Sequence, residues 1–175
     1  MARTIKKKKK RKWPVLLFVL LLLAALVFLV FKICSSIGRS LWDGESQFNL
    51  AVNSQPVVIV SFNYQGKDIN ILKIPDGTFI ETIHGYGPYR IESIYKLGEI
   101  KGEGGQLLAD SLQDYFGLNI DGFLNGGKLP QEQKGLKSFL LNQFFVSLGS
   151  RGKTNLSRWD QFRLWWQIKI VREKK

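Results

Sequence analysis

Residues able to do chemistry are sparse in this chain, and their scarcity excludes whole classes of function. There is one histidine, His84, and it stands in His-Gly-Tyr-Gly-Pro, a turn composition. A lone histidine makes a histidine-based catalytic triad or a zinc centre a poor reading, and His84 is expected to be an exposed loop residue. There is one cysteine, Cys34, so no internal disulfide can form. The densest functional chemistry lies near the C-terminus, where the segment 157–172 mixes Trp159, Trp165 and Trp166 with Arg158, Arg163, Lys169 and Arg172. Spacing places Trp159, Phe162, Trp166 and Ile170 on one helical stripe, which either packs on a core or lies on a lipid surface. Nothing in it points to catalysis.

The opposite end is a cation cluster. Arg3, Lys6 to Lys10, Arg11 and Lys12 supply eight of the 26 basic residues in the chain, so the formal charge of +12 falls to +4 once this tail is set aside. A lysine run of this kind suits nucleic acid or anionic lipid. The adjoining segment decides for lipid. Residues 13–31 read WPVLLFVLLLLAALVFLVF, nineteen positions without a charge, and a helix of that length reaches about 28 Å, near the thickness of a bilayer core. The expectation is an uncleaved signal anchor over residues 13–33, with the basic tail 1–12 in the cytoplasm and the rest of the chain outside. A cleavable leader would show a shorter apolar run and a small-x-small site, and Phe31-Lys32-Ile33 offers none. Partners are expected at the membrane, with no nucleic acid.

Residues 34–46 read as a polar spacer, and residues 47–175 as one domain. Phe48 to Val52 alternates as a short strand, broken by Asn53-Ser-Gln-Pro56. Val57 to Phe62 is a continuous apolar, β-branched run, as in a strand buried on both faces. Asn63 to Lys67 turns the chain into Ile69–Ile74, a hairpin partner, and Thr78 to Ile83 forms another short strand. Tyr89 to Tyr95 suits a short helix. The glycines at 102–105 open a clearer one, with Leu108, Leu112, Tyr115 and Phe116 on one face and Gly117 as its stop. Leu118 to Phe123 reads as a returning strand and Asn125 to Pro130 as a loop. A helix over 131–148 carries Leu136, Leu140, Phe144 and Leu148. A last helix starts after Asn155, with Ser157 as cap and Asp160 three residues on. Strands first and helices afterwards predict the α/β class: a single domain whose mixed sheet is flanked by helices, preceded by one transmembrane helix.

Four segments in order resemble the LytR–CpsA–Psr family of envelope proteins. Ile71-Leu-Lys-Ile-Pro-Asp-Gly-Thr78 is similar to its Ser-Ile-Pro-Arg-Asp-Thr motif, and Arg90-Ile-Glu-Ser-Ile-Tyr95 to its Lys-Ile-Asn-x-Ala-Tyr. Gly104-Gly105 matches its Gly-Gly before a helix, and Phe116-Gly-Leu-Asn-Ile-Asp121 its Leu-Gly-Ile-x-Ile-Asp. The resemblance covers residues 48–124. It implies transfer of a polyprenyl-pyrophosphate-linked glycopolymer to the cell wall, using arginines, aspartates and a divalent metal about the pyrophosphate. This chain departs from that pattern, since Asp76 and Gly77 occupy the places of the motif's Arg and Asp. Arg90, and less well Lys73, are the cations left to face a lipid phosphate, with ordinary solvated cations as the other reading. The expectation is a binding or scaffold domain with no catalytic residue, no metal ligand and no cofactor. Magnesium would be needed only under the alternative of an active transferase. A third reading is an envelope assembly subunit unrelated to lipid-linked glycans.

Overall fold

The computed structural model describes residues 13–38, 40–65, 68–129, 133–148 and 154–170. The basic tail lies outside them. The chain divides into two compact units, residues 1–38 and 39–175.

The first unit is a helix, α1 (Trp13–Ile37), 25 residues long. Its side chains from Leu17 to Phe31 are all exposed. Over the residues described in full, no helix is long and apolar enough to cross a membrane; the stretch 17–31 alone would reach only about 22 Å. Cys34 is an exposed free thiol in the last turns of α1.

The second unit holds β1 (Phe48–Gln55), β2 (Val58–Asn63), β3 (Asp68–Lys73), β4 (Phe79–Thr82), β5 (Gly87–Arg90), α2 (Ile91–Lys101), α3 (Gln106–Phe116), β6 (Gly122–Lys128), α4 (Gln133–Leu148) and α5 (Arg158–Ile170). Four strands form one mixed sheet in the order β3-β2-β1-β6. β1–β2 and β2–β3 are antiparallel hairpin pairs, while β6 returns parallel to β1 after the α2–α3 crossover. β4 and β5 pair in a separate two-stranded ribbon.

Alternation along β1 and β2 explains the layers. Phe48, Leu50, Val52, Val58, Val60 and Phe62 point to one face, where Leu140 of α4 and Leu164 and Ile168 of α5 cover them. Ala51, Val57 and Ile59 point to the other, against Ile91, Ile94, Leu107, Leu108 and Leu112 of α2 and α3. A strand apolar on both faces is what a sheet with helices on each side requires. The structure is thus a mixed α/β domain with its sheet flanked by helices.

Several local expectations are corrected. β1 does not stop at Val52: it runs to Gln55 with a bulge between Asn53 and Gln55 against β6, because Asn53 finds a partner in Asn125 at 2.8 Å on the neighbouring strand. Hence residues 125–128, read as loop, are strand, and β6 starts at Gly122 rather than Leu118. Tyr89 and Arg90 belong to β5, and the helix begins at Ile91. On α3, Leu108 and Leu112 are buried as expected, but Tyr115 faces out; Leu107, Ala109 and Ser111 complete the inner face. On α4, Leu140 is buried, while the side chains of Leu136, Phe144 and Leu148 lie outside the described residues.

The spacer reading also fails over residues 40–46. Trp42 is 2% exposed and sits in the α4/α5-side core, with its indole N–H donating to the Ser46 carbonyl. The carboxylate of Asp160, fully buried, accepts the Ser40 hydroxyl and the Leu41 and Trp42 backbone N–H groups. Burial pushes the Asp160 carboxyl up, but the hydrogen bonds from Ser40, Ser157, Leu41 and Trp42 together outweigh it and hold it below its ordinary value. The expected cap is present in reciprocal form: Ser157 N–H donates to Asp160 Oδ2 and Asp160 N–H to Ser157 Oγ.

Candidate functional site

The sequence-derived site centres on the turn that joins β3 to β4. Ile74 is buried and donates its N–H to the Val57 carbonyl, which fixes the exit of β3. Thr78 closes the turn by donating its hydroxyl to the Pro75 carbonyl at 2.6 Å. Gly77 stands at φ +81°, a left-handed backbone that the aspartate of the family motif would adopt only with strain. The Phe79–Arg90 register of the ribbon then brings the end of β5, and with it the start of α2, back beside this turn. Ile91 N–H donates to the Thr78 carbonyl at 2.9 Å.

Arg90 occupies the position before the first turn of α2 with extended backbone (φ −64°, ψ 131°) and no side-chain cap. It is exposed, and its guanidinium carbon lies 5.6 Å from the centroid of the Phe79 ring. Lys73 is also exposed, at the end of β3 on the outer strand of the main sheet. The two cations end different sheets, and among the described residues no side chain is bonded to both. Asp76 is exposed beside the same turn.

A helix N-terminus next to a cation is a natural place for an anion. Here the chain supplies its own. Glu92, in the first turn of α2, accepts the Gly77 N–H at 3.1 Å. With Asp76 and Glu92 against Lys73 and Arg90, the turn carries no formal excess of positive charge, and the N–H groups of Gly77 and Ile91 are already used. That is a poor cradle for a pyrophosphate leaving group, which needs unspent donors and cations aimed at it.

Of the glycines that carried the resemblance, Gly105 serves packing, Gly104 and Gly117 serve left-handed backbone, and Gly98 just upstream is tight as well. A Cβ on Gly98 would collide with the Gly104 carbonyl oxygen, and one on Gly105 with the Phe123 ring. Gly117 ends α3 in the left-handed conformation at φ +63°. Asp121 likewise holds strands together: it accepts the Asn49 N–H at 2.7 Å, and burial raises its carboxyl despite the hydrogen bonds from Asn49 and Asn119. An open depression of about 680 Å³ lies elsewhere, lined by Ile83, His84, Asp110, Asp114 and Asn119 among others, and includes neither Lys73 nor Arg90. His84 is exposed in a single 3₁₀ turn (Ile83–Gly85), 3.9 Å from Glu103, whose other oxygen accepts the Tyr86 hydroxyl. Sequence reading passed over Glu103, whose only signal was its place in the glycine-rich break between two helices. Among the described residues no group of three or more histidine, cysteine or acidic side chains could hold a metal ion.

No family model matches the chain, and no curated protein does. Solved structures do. YwtF of Bacillus subtilis, solved as a putative transcriptional regulator, superposes with a TM-score of 0.53 at 13% identity, covering 75% of this chain and 77% of that one. The LytR–CPS2A–Psr family protein YwtF (TagT), solved with bound octaprenyl pyrophosphate lipid, gives 0.51 at 14% identity over 74% and 75% of the two chains. TagU of B. subtilis is matched at 16% identity and a TM-score of 0.41, over 47% of this chain and only 36% of that longer one. Identities this low report the fold alone, shared over about three quarters of each chain. The chain therefore has the fold of a LytR–CPS2A–Psr domain, in a divergent form.

Proposed function

We propose that this chain is a single-pass membrane protein of the cell envelope, with its N-terminus cytoplasmic and its α/β domain outside, which binds or scaffolds and does not transfer glycan. The anchor reading is supported by the nineteen uncharged residues 13–31, by the exposed Leu, Val and Phe side chains along α1, and by the eight cations before it. External protease on intact cells should then remove the domain; its protection would defeat this topology.

One observation carries the non-catalytic reading. Where the resembling motif has Arg-Asp, this chain has Asp76-Gly77, and the Glu92 carboxylate takes the Gly77 N–H. Removing one well-aimed charge-stabilising donor typically costs about 100- to 1,000-fold in rate, and here a negative charge stands in its place. The ligand class supported by the fold is a polyprenyl phosphate or a glycan linked to one, since a protein of this fold was solved with octaprenyl pyrophosphate; an envelope protein is the other partner class. Incubated with a polyprenyl pyrophosphate and magnesium or manganese, the full chain should release no phosphate. Binding, if measured with the same lipid, should weaken by about 1.5–3 kcal/mol in Arg90→Ala, the value of a hydrogen bond to a charged group. Metal-dependent turnover that vanishes in Asp76→Ala would overturn the reading and restore an enzyme.

A further inference from the structure

Helix α5 has two usable faces, and the stripe read as packing on a core or lying on lipid is largely outside. The inner face is Asp160, Gln161, Leu164 and Ile168. The outer face carries Phe162, Trp166 and Ile170, exposed by 51%, 53% and 45%. With half-buried Trp159 they follow i, i+3, i+4 spacing, so they form one continuous stripe on the side away from the sheet. The rings are ordered on one another: Trp159 stacks on Phe162 at 5.7 Å and Phe162 on Trp165 at 6.0 Å, with Trp165 and Trp166 at 6.5 Å.

Among the described residues of α5 only cations border this stripe, and Asp43, before β1, is the acid close enough to feel the charge of Arg163. Arg158 and Lys169 are exposed on one flank, and Lys169 lies 3.9 Å over the Trp165 ring. Arg163, on the other flank, sits 5.3 Å over Trp159 while donating to the Trp42 carbonyl. Lys137 of α4 adds a further ammonium beside the end of α5, donating to the Lys169 carbonyl. The one acid in α5, Asp160, is buried and points inward. A soluble helix whose outer side merely faces water would be polar there. Exposed tryptophans and phenylalanine edged by arginine and lysine suit the boundary of a bilayer, where rings enter the headgroup layer and cations meet lipid phosphates.

We infer that the outward face of α5 docks on the surface of an anionic phospholipid bilayer. The idea rests on the anchoring proposed above only in that a tethered domain meets its own membrane at high effective concentration. The experiment keeps the two apart. The full chain in a Cys34→Ser background is reconstituted in vesicles of phosphatidylcholine, with or without a minority of phosphatidylglycerol. It carries an environment-sensitive fluorophore at Leu23→Cys, Phe162→Cys or, as a control on α2, Ser93→Cys. Nitroxide-labelled lipid should quench the probe at 162 by about half in the phosphatidylglycerol vesicles, as expected for a helix lying in the interface, and leave the probe at 93 bright. Changing Arg158→Gln with Lys169→Gln should lower the docking constant about thirty-fold, given the worth of each basic residue near an anionic surface. If the probe at 23 is quenched and that at 162 is not, docking is wrong and anchoring stands; an unquenched probe at 23 defeats anchoring instead. Equal quenching at 162 and 93, or quenching at 162 that does not depend on phosphatidylglycerol, also overturns the inference. So does shielding of 162 from aqueous iodide without lipid quenching, which would mark a protein as the occupant.

Discussion

α3 and α5 flank opposite faces of one sheet, and both carry apolar stripes, yet they use them oppositely. α3 puts Leu107, Leu108, Ala109 and Leu112 into the core and leaves Gln113 and Asp114 outside. α5 puts Leu164 and Ile168 inside, together with two polar side chains, and leaves its larger apolar residues in the open. Periodicity locates a face without saying what it faces. On α3 one apolar face holds all the leucines and goes inside, leaving Tyr115 out. On α5 there are two, and the choice is made by Asp160. Its carboxylate must be buried to accept the donors of Ser40, Leu41 and Trp42, and that rotation carries Phe162 and Trp166 away from the sheet.

Substitutions on the two helices sharpen this contrast, each read as a guanidinium melt of the full chain in detergent. The largest effects should come from the inner faces: Leu108→Ala and Leu164→Ala, both fully buried, should each cost about 2–5 kcal/mol, the range for a leucine deleted from a core. A small effect of Leu164→Ala would mean that the face of α5 is misassigned. Next comes Asp160→Asn, which deprives buried donors of a charged acceptor and should cost about 1–3 kcal/mol.

The pH dependence of that difference has a definite sign. The folded pKa of Asp160 is lowered from 3.8, so its contribution is fully present above about pH 3.8 and is lost as pH falls through the folded value. Wild type and Asp160→Asn should therefore converge in acid. A gap that widens there would contradict the hydrogen-bonded arrangement.

Gly105→Ala tests the α3 side from the opposite direction, by overfilling it. The added methyl meets the Phe123 ring, and about 1–3 kcal/mol is expected. Had a lipid-sized space separated helix from sheet here, the substitution would be harmless. The smallest effect should be on the outer stripe: Phe162→Ser and Trp166→Ser should change stability by less than about 0.5 kcal/mol, although they are among the largest apolar side chains on α5.

Features legible in the sequence were those decided within a few residues. The run Val57 to Phe62 reads as a doubly buried strand because nearly all of its side chains are apolar, whichever face they take. Gly117 ends α3 and Ser157 caps α5 because backbone groups at helix ends need local partners. The resemblance to the envelope family survived at this level too, since its motifs are turns, glycines and strand starts that hold the fold.

Tertiary structure alone decided the rest. Asn53 continues β1 because Asn125, far along the chain, stands opposite it. Trp42 enters the core from a stretch read as a spacer, because Asp160 accepts the backbone N–H groups of Leu41 and Trp42. Glu92 meets the Gly77 N–H, fifteen residues earlier, because the ribbon register returns the start of α2 to that turn. In each case a polar group took the partner that only the assembled sheet could bring within hydrogen-bond reach, and the apolar side chains followed, because an unmet buried polar group costs as much as a well-packed side chain gains.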